Sequence, residues 1–124
     1  MLCESLTLLS WTKVLLAERW SKEHPEIPIV TAHPGWSDTP AVDEAFGDAK
    51  KYLQPLRSPW EGAEGIAWLV GTRKKNIQSG ELYLDRSTQP KHIAGLFYSE
   101  GSHTKNTSDE VDDFMSRLKH AAGM

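Results

Sequence analysis

A chain of 124 residues, 39% apolar and with 14 basic against 17 acidic side chains for a formal charge of −3, has the size and hydrophobic content of one modest core. The interspersed charges leave no basic stripe for a phosphate backbone, which argues against nucleic acid as a partner, and no apolar run approaches the ~18 residues that a membrane span needs. Cys3 is the only cysteine, which excludes an intrachain disulfide or a multi-thiolate metal site and fits the cytoplasm or another reducing intracellular compartment.

The opening ten residues lack the basic start of a secretory signal, and Glu4 and Lys13 interrupt the apolar run. Residues 5 to 23 carry Leu9, Leu16 and Trp20 near one face, with Ala17, Glu18 and Arg19 as helix formers. Pro25 stops the pattern, so the spacing predicts an amphipathic helix. Ile27 to Ala32 is short, mostly apolar and β-branched, the pattern of a strand buried on both faces of a parallel sheet. Residues 33 to 57 read as a long irregular segment, broken by Pro34, Pro40, Gly47 and Pro55, with a turn or two of helix around Val42 to Phe46.

The next boundary is sharper. Ser58-Pro59-Trp60-Glu61 supplies an N-cap hydroxyl, a proline at the first helical position and a glutamate that closes a capping box. Trp60, Ala63, Ala67 and Val70 follow at helical spacing, and Gly71 lies near the stop. Ser79-Gly80 leads into Glu81 to Asp85, whose alternation reads as a second strand. Helix, strand, helix, strand implies parallel pairing through a right-handed crossover. Residues 86 to 106 read as a polar loop, marked by Gly101, Ser102, His103 and Thr104. Thr107 to Glu110 forms another capping box, before a final helix with Val111, Phe114, Met115 and Leu118 on one stripe.

The most telling segment is Ile29 to Pro40, where an apolar strand runs into Pro34-Gly35 and then Thr39. Proline fixes φ there, and glycine lets backbone approach a ligand with no Cβ in the way. Open α/β sheets bind ligands at that carboxyl edge. Two absences accompany it: no glycine-rich phosphate loop near the start, and no Tyr followed four residues later by Lys. Two short parallel strands do not make a stable sheet, and the first helix has no strand before it, so the sequence reads as the end of a larger fold.

The run Ala17 to Glu26, then His33-Pro-Gly-Trp-Ser-Asp-Thr-Pro40, Gly62-Ala-Glu-Gly65, Ser79-Gly80 and Asp85-Arg86 resembles the C-terminal part of a short-chain dehydrogenase/reductase. The resemblance implies an α/β fold: a partial Rossmann-type, doubly wound domain made of its last two parallel strands, their flanking helices and a C-terminal helix. It divides the single partial domain 1–124 into a divergent start (1–13), a family-like core (14–88) and a tail loop with the C-terminal helix (89–124). It implies hydride transfer between NAD or NADP and a carbonyl or alcohol substrate, with no membrane role and with homo- or hetero-oligomers allowed. Pro34, Gly35, Trp36, Ser37 and Thr39 match the nicotinamide-side loop, with the Thr39 hydroxyl and backbone N–H groups as its hydrogen-bonding atoms, and residues 40–58 match the segment that covers substrate.

Upstream the sequence departs from that pattern. Typical element lengths place the family's catalytic Lys ~25 residues before Pro34, where Leu8, Leu9 and Ser10 stand. Lys13 is nearer to Pro34 than that, and the residue four before it is Leu9, with no phenol. No catalytic residue is therefore assigned. The expectation is a truncated, alternatively started or spliced product, inactive by itself, whose first dozen or so residues are not family sequence. The alternative function is a noncatalytic interaction protein that pairs with a full-length relative.

Plainer readings stand beside these. Trp20, Trp60 and Trp68 are expected in helix cores, and the five histidines show no ligand spacing on one helix face, so no metal site is assigned. Arg73-Lys74-Lys75 reads as a solvated helix C-cap favoured by the dipole. Gly35-Trp-Ser-Asp-Thr39 approaches a hydrolase nucleophile elbow, but its last position is Thr, and Pro40 disfavours the helix such an elbow needs at once after its serine.

Overall fold

The structure, a computed structural model, describes residues 2–91 and 107–123, with backbone alone over 2–11. It is an α/β arrangement: α1 (Leu2–Glu23), β1 (Thr31–Ala32), α2 (Pro40–Phe46), a 3-10 helix (Gly47–Leu53), α3 (Pro59–Gly71), a short 3-10 turn (Lys74–Asn76), β2 (Leu82–Leu84), β3 (Ser87–Gln89) and α4 (Ser108–Ala121). The chain divides into two compact units, residues 12–91 and residues 1–11 with 92–124.

In the 12–91 unit a three-stranded mixed sheet runs in the order β1-β2-β3. The expected parallel pair is present, with Thr31 beside Leu82 and Ala32 beside Tyr83. Its regular ladder is shorter than the apolar run from Ile27. Pro28 has no N–H to donate, and the Ile29 amide goes to the Ser79 hydroxyl at 2.9 Å. Pairing still continues through Gly80 N–H to the Ile29 carbonyl at 2.7 Å and His33 N–H to the Tyr83 carbonyl at 2.8 Å.

The third strand corrects the expectation of a polar loop from residue 86. Leu84 pairs with Ser87 across a two-residue hairpin, in which Asp85 and Arg86 both adopt left-handed φ, 51° and 64°. That backbone suits the right-handed twist of a tight hairpin, but it is ordinarily signalled by Asn-Gly or Asp-Gly. Arg at the second position hid it. The Gly101 to Thr104 loop lies outside the described residues.

The buried face of α1 differs from the expected stripe. Val14 and Ala17 are buried, whereas Trp20 is 38% exposed; the Leu9 side chain lies outside the described residues. α1 also lies close to the chain just before β2: a Cβ on Gly80 would come within 2.7 Å of the Ser21 hydroxyl. Lys91 ties the same helix to the strand region, reaching Glu18 at 3.1 Å and Glu81 at 3.0 Å. Burial pushes the Lys91 pKa down, but bonds to Glu81 and Glu18 outweigh it, and the ammonium is held above its usual range.

α3 begins where expected. Ser58 Oγ accepts from Glu61 N–H at 3.3 Å, Glu61 Oε2 accepts from Ser58 N–H at 2.7 Å, and Pro59 occupies the first turn. The expected apolar stripe, however, faces outward: Trp60 is 72% and Val70 85% exposed. The helix docks instead through Gly62 and Gly65, which bring its backbone against the Pro34–Ser37 loop and the Asp85 turn. Trp68 follows on that side, half-buried, its ring 6.4 Å from the buried Tyr83.

In the other unit, Thr107 and Glu110 form the second expected capping box, with reciprocal bonds of 3.3 and 2.7 Å. α4 buries Met115 and half-buries Val111, Phe114 and Leu118, the stripe read from the sequence.

Candidate functional site

The loop that leaves the carboxyl end of β1 is held by backbone pairing at both ends. After His33 closes the ladder on Tyr83, Gly35 adopts φ +75°, a left-handed conformation that glycine takes without strain. Its N–H donates to His33 Nδ1 at 2.8 Å, which requires that nitrogen to be unprotonated. Burial first, and the nearby Arg57 charge second, hold the His33 pKa below its ordinary value. Two residues on, Arg57 N–H donates to the Trp36 carbonyl at 2.8 Å and Asp38 N–H to the Arg57 carbonyl at 2.7 Å. These bonds make a single parallel bridge between Ser37 and Arg57.

Side chains of the loop go separate ways. Trp36 meets Phe46 edge to face, centroids 5.4 Å apart, which ties the loop to α2. The Ser37 hydroxyl is buried against Gly62 and has no hydrogen-bond partner among the described residues. No base touches it, and the following helix begins only at Pro40, so the nucleophile-elbow geometry is absent. Thr39 is the N-cap of α2: its carbonyl accepts from Val42 N–H at 2.9 Å and Asp43 N–H at 3.1 Å, while its hydroxyl makes no capping bond. Lys50 bridges Asp38 and Asp43, at 2.5 Å to each. Those hydrogen bonds raise its pKa and pin the 3-10 segment to the loop.

The residues singled out in the sequence, Pro34, Gly35, Trp36, Ser37 and Thr39, lie on one continuous loop beyond a parallel strand, with Gly35 at positive φ and its Cβ side covered by a side chain. Sequence reasoning missed Arg57. That guanidinium forks onto the Asp85 carboxylate at 2.5 and 2.6 Å and lies over Gly35. Asp85 is held below the usual carboxylate range, chiefly by those bonds. The two residues stand 28 positions apart, and no local pattern announces such a pair. The basic run at 73–75 is exposed throughout, and Lys74 Nζ donates to the Glu26 carbonyl at the surface. Arg73 and Lys75 line an open depression of about 610 Å³ beside Trp68. Among the described residues no group of three or more His, Cys, Asp or Glu side chains could hold a metal ion, and no helix is long and apolar enough to cross a membrane.

A loop with glycine at positive φ beyond the carboxyl end of a parallel strand, backed by a glycine-docked helix, occurs here in a chain related by sequence to the short-chain dehydrogenase/reductases. It is 37% identical over 83 residues to the human dehydrogenase/reductase SDR family member 12, and 37% identical over 83 residues to the bovine protein of the same name. The alignment covers 65% of this chain and 26% of each relative, so the chain matches about a quarter of their length. No family model matches the chain. No solved structure matches it.

Proposed function

We propose that this chain is the C-terminal, nicotinamide-side part of a Rossmann-type, NAD(P)-dependent short-chain oxidoreductase that moves hydride between the cofactor and a carbonyl or alcohol. The observation that carries the reading is Gly35, at φ +75° just past a parallel strand, in a chain related to this class. In this reading Pro34 and Gly35 let the backbone approach the nicotinamide, and Trp36 sits beside the reacting centre. The Thr39 hydroxyl, unused by its own helix cap, bonds the cofactor. Ser37 serves through its backbone, because its hydroxyl packs on Gly62. Residues 40–58 cover the substrate, and the lone Cys3 suits a reducing compartment.

Neither the Tyr-x-x-x-Lys pair nor a glycine-rich nucleotide loop occurs within these 124 residues, so the chain by itself is expected to be inactive. The experiment is a cofactor titration and a turnover assay with NADH and NADPH, on the chain alone and joined to a nucleotide-binding half that carries both motifs. Cofactor binding only in the joined protein supports the reading. A joined, folded protein whose cofactor affinity ignores substitutions at Gly35 and Thr39 overturns it.

A second reading, a noncatalytic protein that pairs with a full-length relative, draws on one observation: the outward apolar face of α3, with Trp60, Ile66 and Val70 all exposed. Co-purification with a full-length relative, abolished by Trp60→Ser, is the outcome that favours it.

A further inference from the structure

Three segments distant in sequence meet at one guanidinium. Arg57 places Nη1 and Nη2 on the two carboxylate oxygens of Asp85, at 2.5 and 2.6 Å, and its backbone is bonded to Trp36 and Asp38. Its planar head covers Gly35 so closely that a Cβ there would lie 2.8 Å from Cζ and Nε. Nη1 also reaches the Pro34 carbonyl at 3.5 Å, the long limit of a hydrogen bond. Asp85 is presented by the left-handed hairpin turn, which packs against α3 at Gly65, where a Cβ would lie in ordinary contact, 3.7 Å from Asp85 N.

From this geometry we infer that Arg57 is the positioning residue of the Pro34–Gly35 loop and that Asp85 orients it. Glycine left alone samples both signs of φ; the guanidinium plane closes one side of Gly35 and leaves the conformation in which its N–H reaches His33. The fork fixes the plane. Lysine, a point charge on a flexible stem, could keep the attraction to Asp85 but not the plane. Both partners are substantially exposed, 33% for Arg57 and 58% for Asp85, and exposed ion pairs contribute little to stability. The role is therefore local geometry rather than global stability. Its consequence for a cofactor rests on the function proposed above; the positioning itself does not.

The test follows backbone amide exchange and the His33 imidazole titration by NMR on the 124-residue chain without cofactor. Arg57→Gln and Arg57→Lys are each expected to speed exchange of the Gly35 N–H at least tenfold, and Asp85→Asn to do so more weakly. The Thr31 and His33 amides, bonded to the Glu81 and Tyr83 carbonyls, should keep their parental rates. Arg57→Gln should also move the His33 titration up toward its ordinary value, which a space-filling role would not produce. Protection restored by Lys, or unchanged in both Arg57 variants, overturns the inference. So does unfolding of Arg57→Lys, which would show a global role, and so does a parental chain whose Gly35 amide is already unprotected. NADH titration of the same samples reports separately on the cofactor-loop reading.

Discussion

The Ser37 hydroxyl occupies the space that a Cβ on Gly62 would need, and the Pro34 carbonyl lies 3.3 Å from the same point. Helix α3 thus rests on the loop through bare backbone. Alanine at 62 would gain up to ~1 kcal/mol of helix propensity, but forcing a methyl into a filled contact costs ~1–3 kcal/mol. The clash decides the sign, because the first atom met is a serine wedged in the loop and the next is backbone. Gly62→Ala is expected to lower the urea midpoint, while Gly71→Ala, whose Cβ meets nothing within 4 Å, should leave it unchanged or raise it. Equal effects would show that α3 does not dock through Gly62.

The burial of His33 gives stability a pH dependence of definite sign. Its folded pKa lies below the ordinary value of 6.5, from burial and then Arg57, so the unfolded chain binds the proton more readily. The contribution is fully present above about pH 6.5 and is lost as pH falls toward the folded value. The carboxylates lose theirs lower: Glu61, lowered chiefly by the Ser58 N–H, and Asp85, lowered by Arg57, have ordinary values of 4.5 and 3.8. Urea titrations from pH 7.5 to 5 should show declining stability in the parental chain and a flatter profile in His33→Gln.

Local grammar was legible and long-range geometry was not. Both capping boxes, Ser58/Glu61 and Thr107/Glu110, form as read because each is complete within four residues. The break at Pro34-Gly35 could be read as well, since proline and glycine directly after an apolar run end a strand. The inward face of α3 was misread because periodicity counts large apolar residues; Gly62 and Gly65 register as nothing, although they make the contact. Trp60 and Val70 were counted and face out. Arg57 and Asp85 carry no mutual signal until the hairpin turn brings them together.

That misreading has a measurable counterpart in the core. Tyr83 is 4% exposed, stacks obliquely on Trp68 and accepts the Gln78 N–H through its hydroxyl at 2.8 Å. Truncating a buried aromatic costs ~3–5 kcal/mol, whereas surface changes stay within ~0.5 kcal/mol. Tyr83→Ala should therefore abolish or severely weaken cooperative unfolding by urea, and Trp60→Ala should leave the midpoint of a monomeric sample nearly unchanged. A large loss from Trp60→Ala would mean that the α3 face is covered in solution.

At the loop, two substitutions separate close approach from hydrogen bonding. Gly35→Val adds a β-branched side chain at φ +75°, beneath the Arg57 guanidinium, so it both strains the backbone and forces the guanidinium off the loop. Thr39→Ser keeps the hydroxyl and loses one methyl. In the protein joined to a nucleotide-binding half, Gly35→Val is expected to weaken NAD(P) binding at least tenfold, equivalent to ~1.4 kcal/mol, and Thr39→Ser to change it by less than threefold. Isothermal titration with NADH and NADPH, beside a circular dichroism check of folding, reads both variants. A folded Gly35→Val protein that binds as tightly as its parent would make Pro34-Gly35 a structural turn. The Arg57 guanidinium would then lie over a strand end rather than a cofactor seat.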